Sequence, residues 1–207
     1  MPFFEGARGR MHYRRWAVED PDVVVALLPG IGQHTGHYHR FARALGAAGF
    51  EVWGLDTAGQ GLSEGDPESP GVVDDLAIDA QQLLDLIRSA RPELPLVVVG
   101  HSLGAGTALY GRFACAGVVV SGVPERATVV VPDMQEGVPA LILHGSDDRR
   151  APIEPVRGWT EQQPLARFRE YADAGHDLLH EPVHAQVTAD IIEWIRDVVV
   201  AQPVRRR

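Results

Sequence analysis

The sequence contains no lysine: all 19 of its basic residues are arginine. Lysine Schiff-base chemistry, pyridoxal phosphate attachment and a P-loop each need a lysine amine, so all three are excluded. Cysteine is nearly absent as well. The one present, Cys115, cannot form an internal disulfide and suits a reducing cytoplasm. It lies in an apolar stretch without a basic neighbour and reads as a buried, inert thiol. No apolar run approaches the roughly 18 residues of a membrane helix, so no integral membrane segment is expected. The opening stretch MPFFEGARGRMHYRRW lacks the apolar region of a secretory signal. Positive charge is also scarce. A formal net charge of −9 argues against nucleic acid as a partner, and the one basic cluster, the terminal RRR, reads as a frayed tail.

What is there fits one globular domain over residues 1–207, with 45% hydrophobic and 23% charged residues. The segment FFEGARGRMHYRRW predicts an edge hairpin turning at Gly9. Continuous apolar runs predict strands at VVVALL (23–28), FEVWGLD (50–56), LPLVVVG (94–100), GVVVSG (117–122) and PALILHG (139–145), with LARFREY (165–171) beyond them. Helical spacing covers 37–49, 73–90 and 102–114, and a closing helix runs from about Leu178 to Val199. The stripe Leu76, Leu83, Leu84 and Ile87 marks the apolar face of the second of these. Strands alternating with helices imply an α/β fold with a mostly parallel sheet covered on both faces. Its active site would lie at the carboxyl ends of the strands.

Gly100-His101-Ser102-Leu103-Gly104 sits where a strand enters a helix. Two readings compete there: a nucleophilic serine lifted on a sharp turn, or a serine that merely caps the helix. A serine nucleophile needs a base, and the base an orienting carboxylate, in the chain order Ser, acid, His for this kind of fold. Asp148 follows strand PALILHG and His176 follows strand FREY, both just past a strand's end. Asp147 is the alternative acid. The Leu103 N–H and a donor from the loop LPGIGQHTGHY (28–38), with Ile31 the choice, would make the oxyanion hole. The remaining histidines, His34, His37, His39, His180 and His184, read as solvated or capping rather than metal ligands, and His101 and His144 as packing residues. Neither a metal nor a cofactor is implied.

These motifs together resemble the α/β-hydrolase superfamily, and within it the monoacylglycerol lipase (lysophospholipase-like) group. PGIGQHTGHY (29–38) resembles that group's His-Gly-x-Gly-Glu-His-x-x-x-Tyr; DTAGQGLSEG (56–65), GHSLG, HGSDD and GHDLLHE (175–181) match its later segments. The resemblance implies Ser102 as nucleophile, Asp148 as acid, His176 as base, and Ile31 with Leu103 as oxyanion donors. Three positions depart from the group: Pro29 stands for its histidine, Gln33 for its glutamate and Ala58 for its arginine. The larger departure is residues 123–138, the only connection where the group usually inserts a helical cap. A parallel crossover alone takes roughly a dozen residues, so the cap is expected to be missing and even the usual helix is doubtful.

The expected activity is therefore that of a serine carboxylester hydrolase on small or accessible acyl esters, from an open site with little apolar wall. The stretch RATVVVPDM would alternatively fold over the site as a lid, and a second copy of the chain, in a homodimer, could also cover it. A thioesterase, amidase, acyltransferase or cyclase could use the same residues, and a non-catalytic scaffold is the reading from a different class.

Overall fold

Apolar runs without alternation belong to strands covered on both faces. In the computed structural model, which describes residues 2–201, five such runs form the interior of one sheet. They are β3 (Val23–Leu28), β4 (Phe50–Leu55), β5 (Leu96–His101), β6 (Gly117–Ser121) and β7 (Ala140–Gly145), and every residue in them is buried. The edges are less covered: β1 (Phe3–Gly6) and β2 (Gly9–Trp16) form the expected hairpin, and β8 (Ala166–Tyr171) closes the far side. The eight strands run in the order β1-β2-β4-β3-β5-β6-β7-β8, with β1, β2 and β4 paired antiparallel and the rest parallel.

Alternate residues of β3 show how the sheet divides the core. Val24, Ala26 and Leu28 join α2 (Val73–Ala90) and α3 (Leu103–Tyr110) on one face. Val23, Val25 and Leu27 join α1 (His39–Ala47) and α6 (His184–Ala201) on the other. The stripe Leu76, Leu83, Leu84 and Ile87 is buried in α2, as its spacing predicts. The chain passes from β3 to β4 on one side, then returns across β3 to β5 on the other. This reversal makes the gap beyond β3 and β5 the crevice where ligands bind in such sheets.

Several boundaries differ from the sequence expectation. The closing helix starts at His184, six residues later than Leu178, because Pro182 cannot sit inside it and residues 177–183 form turns instead. The helix after Ser102 stops at Tyr110 rather than Ala114. The doubted helix does exist: α4 (Glu125–Val130) occupies the short connection after β6, so the crossover keeps one and a half turns. One helix was unassigned, α5 (Ile153–Thr160), whose Pro155 and Gly158 obscure its periodicity. Cys115 also differs from its reading. It is half-buried, and Arg88 lies near enough to act on it electrostatically; burial still dominates and pushes the thiol up to about 11. No described helix is long and apolar enough to cross a membrane.

Candidate active site

The turn after β5 is where local sequence and geometry constrain each other most. Ser102 sits at φ 52°, ψ −110°, a conformation costly for a residue with a side chain. Neighbouring glycine makes the approach feasible: a Cβ on Gly104 would collide with the Leu28 carbonyl of the adjacent strand. Hydrogen bonds hold the turn from both sides, with Ser102 N–H donating to the Ser121 carbonyl at 2.9 Å and Gly106 N–H to the Ser102 carbonyl at 3.1 Å. The Ser102 side chain makes no capping bond to α3. Its Oγ lies 2.9 Å from His176 Nε2 instead, which removes the capping reading.

His176 Nδ1 lies 2.7 Å from Asp148 Oδ2. Asp148 is fixed by its other oxygen, which accepts from Arg150 N–H at 2.8 Å and Ala151 N–H at 2.9 Å. Burial pushes the Asp148 carboxyl up, but the His176 bond and these two amides pull harder, leaving it below its ordinary value. A carboxylate only accepts, so His176 carries its proton on Nδ1 and presents the Nε2 lone pair to the Ser102 hydroxyl. Asp147, the alternative acid, is exposed, and its carboxylate faces Ser146 Oγ at 3.4 Å rather than His176. The chain therefore brings together Ser102, Asp148 and His176 and leaves Asp147 out.

The loop after β3 lies against the serine. A Cβ on Gly30 would stand 3.2 Å from Ser102 Cβ and 2.9 Å from His101 Cδ2. Ile31, in the turn that follows, is exposed. Among the described residues neither Ile31 N–H nor Leu103 N–H donates to a protein group, so both remain available to a ligand.

A second polar chain, absent from the sequence reading, ties these loops together. Buried His101 bridges Ser121 Oγ and Asp177 Oδ1, at 3.0 Å each. The same Asp177 oxygen accepts from Gln33 Nε2 at 2.8 Å. Gln33 Oε1 in turn accepts from Gly30 N–H at 3.3 Å and from the Tyr38 hydroxyl. The His101 hydrogen bond outweighs burial and holds the Asp177 carboxyl down to about 2. Below it, Glu181 accepts from Gly175 N–H at 2.6 Å and Asp177 N–H at 2.9 Å, bracing the loop that carries His176. The available signal was position alone: Asp177 follows His176 directly, and Gln33 stands at a motif position.

Several of the other histidines have local partners. His34 caps the 3-10 turn Thr35–Tyr38 by accepting from Gly36 N–H at 3.1 Å, and His39 accepts from Trp16 Nε1 at 3.1 Å. His144 donates from Nε2 to the Ala151 carbonyl at 2.7 Å; its Nδ1 is buried without a partner, and burial lowers its pKa. A neutral ring there leaves the Asp148 charge for His176.

Residues 19–122, half of the chain, match the serine aminopeptidase S33 family. The chain belongs to that family. Its sequence likenesses include lipases. A monoacylglycerol lipase of Mycolicibacterium smegmatis is 37% identical over 105 residues, covering 50% of this chain and 38% of that protein. Human monoglyceride lipase is 30% identical over 114 residues, or 53% of this chain and 37% of that one. The S33 chain is thus matched to well under half the length of these relatives. Among solved structures, a thermostable carboxyl esterase from Bacillus coagulans has a TM-score of 0.83 at 15% identity, covering 96% of this chain and 98% of that one. The Paleococcus ferrophilus monoacylglycerol lipase has a TM-score of 0.75 at 19% identity, covering 93% and 99%. These likenesses establish the α/β-hydrolase fold for the S33 chain, as its motifs implied.

Proposed function

We propose that the chain is a serine carboxylester hydrolase that forms an acyl-enzyme at Ser102. The observation that carries this reading is the unbroken hydrogen-bond line from Ser102 Oγ through His176 to buried Asp148, built on a strained serine. In the first step Ser102 Oγ attacks the ester carbonyl while His176 Nε2 takes its proton. Asp148 holds the ring in the right tautomer and stabilises the imidazolium that forms. The developing oxyanion lies against the N–H groups of Leu103 and Ile31. His176 then protonates the departing alkoxide, giving the free alcohol and the ester of Ser102. Water, deprotonated by the same nitrogen, attacks that ester and releases the carboxylic acid. The turn at Ser102 is in this reading the nucleophile elbow of G-x-S-x-G enzymes. The lipases to which the sequence is similar support ester substrates, and the shortness of residues 123–138 supports accessible ones.

The test is chemical. A fluorophosphonate should label Ser102 of the native chain, and Ser102→Ala should lose the label. That variant should also lose roughly 10³-fold or more of p-nitrophenyl acetate turnover, as single triad deletions do. Full turnover by Ser102→Ala, or an unlabelled native chain, would overturn the reading.

A further inference from the structure

Residues 123–138 are short, yet α4 within them builds one wall of a cleft. A cleft of about 390 Å³ opens along α3, between α4 and the amino-terminal end of α2. That volume lies within the range of small-ligand pockets. Its walls are mostly apolar, with Val72 and Leu76 on one side, Ala127 and Val130 on the other, and Leu103 at one end, while Thr107 and Arg126 add polar groups to the lining. Val72 and Val130 are exposed, so both lips present hydrocarbon to solvent. The far end is fixed by Tyr110, whose hydroxyl donates to Asp74 at 2.5 Å.

Two connections link this cleft to the catalytic line, although neither Ser102 nor His176 lines it. Leu103 follows Ser102 directly. Pro124, also in the lining, follows the Gly122-Val123 pair, and a Cβ on Gly122 would stand 2.8 Å from His176 Cε1. The floor holds the more telling residue. Gly106 lies inside α3, where glycine costs about 1 kcal/mol relative to alanine. Neither of glycine's usual reasons applies there. Its φ is not positive, and a Cβ would meet only Ala127 Cβ, at an ordinary 3.9 Å. What a side chain at 106 would do is fill the cleft.

We infer that this cleft binds the hydrocarbon arm of the ester, with Gly106 setting how long an arm it accepts. The inference rests on the hydrolase reading above and deepens it: the substrate class is esters carrying an extended aliphatic chain rather than acetates alone. On this inference α4 and α2 supply the apolar wall that the sequence reading did not expect beside the site.

The experiment compares two ester series on the native chain and on Gly106→Ala and Gly106→Val. One series is p-nitrophenyl acetate, butyrate, hexanoate and octanoate; the other is ethyl, butyl, hexyl and octyl acetate. With the native chain, kcat/KM should rise about fourfold per methylene in one series until the cleft is full. A rise in the first series puts the acyl group in the cleft, and a rise in the second puts the alcohol there. In the variants the octyl-to-shortest ratio should fall about fourfold for each methylene displaced, alanine less than valine. Alanine is the better helix former, so Gly106→Ala should melt higher than the native chain, which separates a filled cleft from a damaged fold. Flat profiles in both series, or unchanged ratios in both variants, would overturn the inference while acetate turnover upheld the hydrolase reading. No acetate turnover and no fluorophosphonate label on the native chain would end both.

Discussion

Gln33 shows how one side chain can join two loops. Its amide donates to Asp177, beside His176, and its carbonyl oxygen accepts from Gly30, beside Ser102. The related lipase group has glutamate at this motif position, and here that would face a carboxylate held down to about 2. Two carboxylates in contact cannot both ionise without cost, so a glutamate at 33 would have to hold a proton to keep the bond. Gln33→Glu should therefore add a descending limb to the pH profile of kcat. Activity would be near native while the new carboxyl is protonated and would fall as pH rises through its elevated pKa. A kcat profile parallel to the native one across pH 5–8 would show that the Gln33–Asp177 bond does not position the site. Ser102, His176 and the pair Asp147-Asp148 were legible in the sequence, because chain order and strand ends locate them. Within the aspartate pair, the choice of Asp148 over Asp147 came with the family resemblance, and its physical reason was not legible. It depends on which carboxylate turns inward, and that is set by the Arg150 and Ala151 amides, which no spacing rule reveals. Long-range partners such as Asp177 and Gln33, 144 residues apart, were hidden for the same reason.

At the scale of elements, the strands were easiest to read, since burial on both faces leaves a continuous apolar signature in β3 through β7. Short helices were the hardest. α4 and α5 begin after prolines and are too brief to show a period, and they owe their shape to packing on each other, with α4 also on α3 and α5 on β7 and β8. The loop DTAGQGLSEG (56–65) shows why a motif can be structural. Asp56 accepts from His12 Nδ1 at 2.8 Å, Thr35 N–H at 2.7 Å and Leu62 N–H at 3.0 Å, and so ties the hairpin to two loops. The segment from His176 to His184 is a second case of a loop ordered by one carboxylate. Glu181 satisfies two backbone donors there, Gly175 N–H and Asp177 N–H, while Pro182 keeps α6 from starting earlier. Glu181→Ala would leave both donors without their partner, a loss of about 1–3 kcal/mol for partly buried groups. The expected outcome is a lower urea midpoint together with a kcat reduced more than KM is changed, since the loop carries His176. Glu181→Gln, which keeps one acceptor oxygen, should recover part of each. Native values for both in Glu181→Ala would show that the turn is held by the chain's own geometry.

Over the whole molecule, buried carboxylates set the response to acid, and they pull in opposite directions. Glu51 is buried, and burial pushes it up. Arg15, Trp53 and Arg91 surround it with donors and bring it below its ordinary value. Asp56 and Asp148 are likewise pushed up by burial and brought below their ordinary values by amides and histidines, and Asp177 is held down by His101. A group depressed in the folded state stabilises it above the unfolded value, about 4 for these carboxyls, and that contribution is lost as pH falls through the folded value. Asp79 works the other way. Burial raises it, one oxygen accepts from Ala7 N–H at 2.7 Å, and the other is buried without a partner. A raised carboxyl stabilises the fold fully below its unfolded pKa, and the contribution disappears as pH rises through the folded one. The urea midpoint should thus climb with pH from about 2 as the depressed groups ionise, and lose part of that gain where Asp79 ionises. Asp79→Asn keeps an acceptor for Ala7 and cannot ionise, so it should leave the acid limb in place and remove that loss. The difference between the two curves isolates Asp79 from every other titrating group, since those change charge with pH in both proteins alike. Parallel curves at every pH above the acid limb would show that Asp79 reaches its charged state at no cost, and the uncompensated oxygen on α2 would then need another partner.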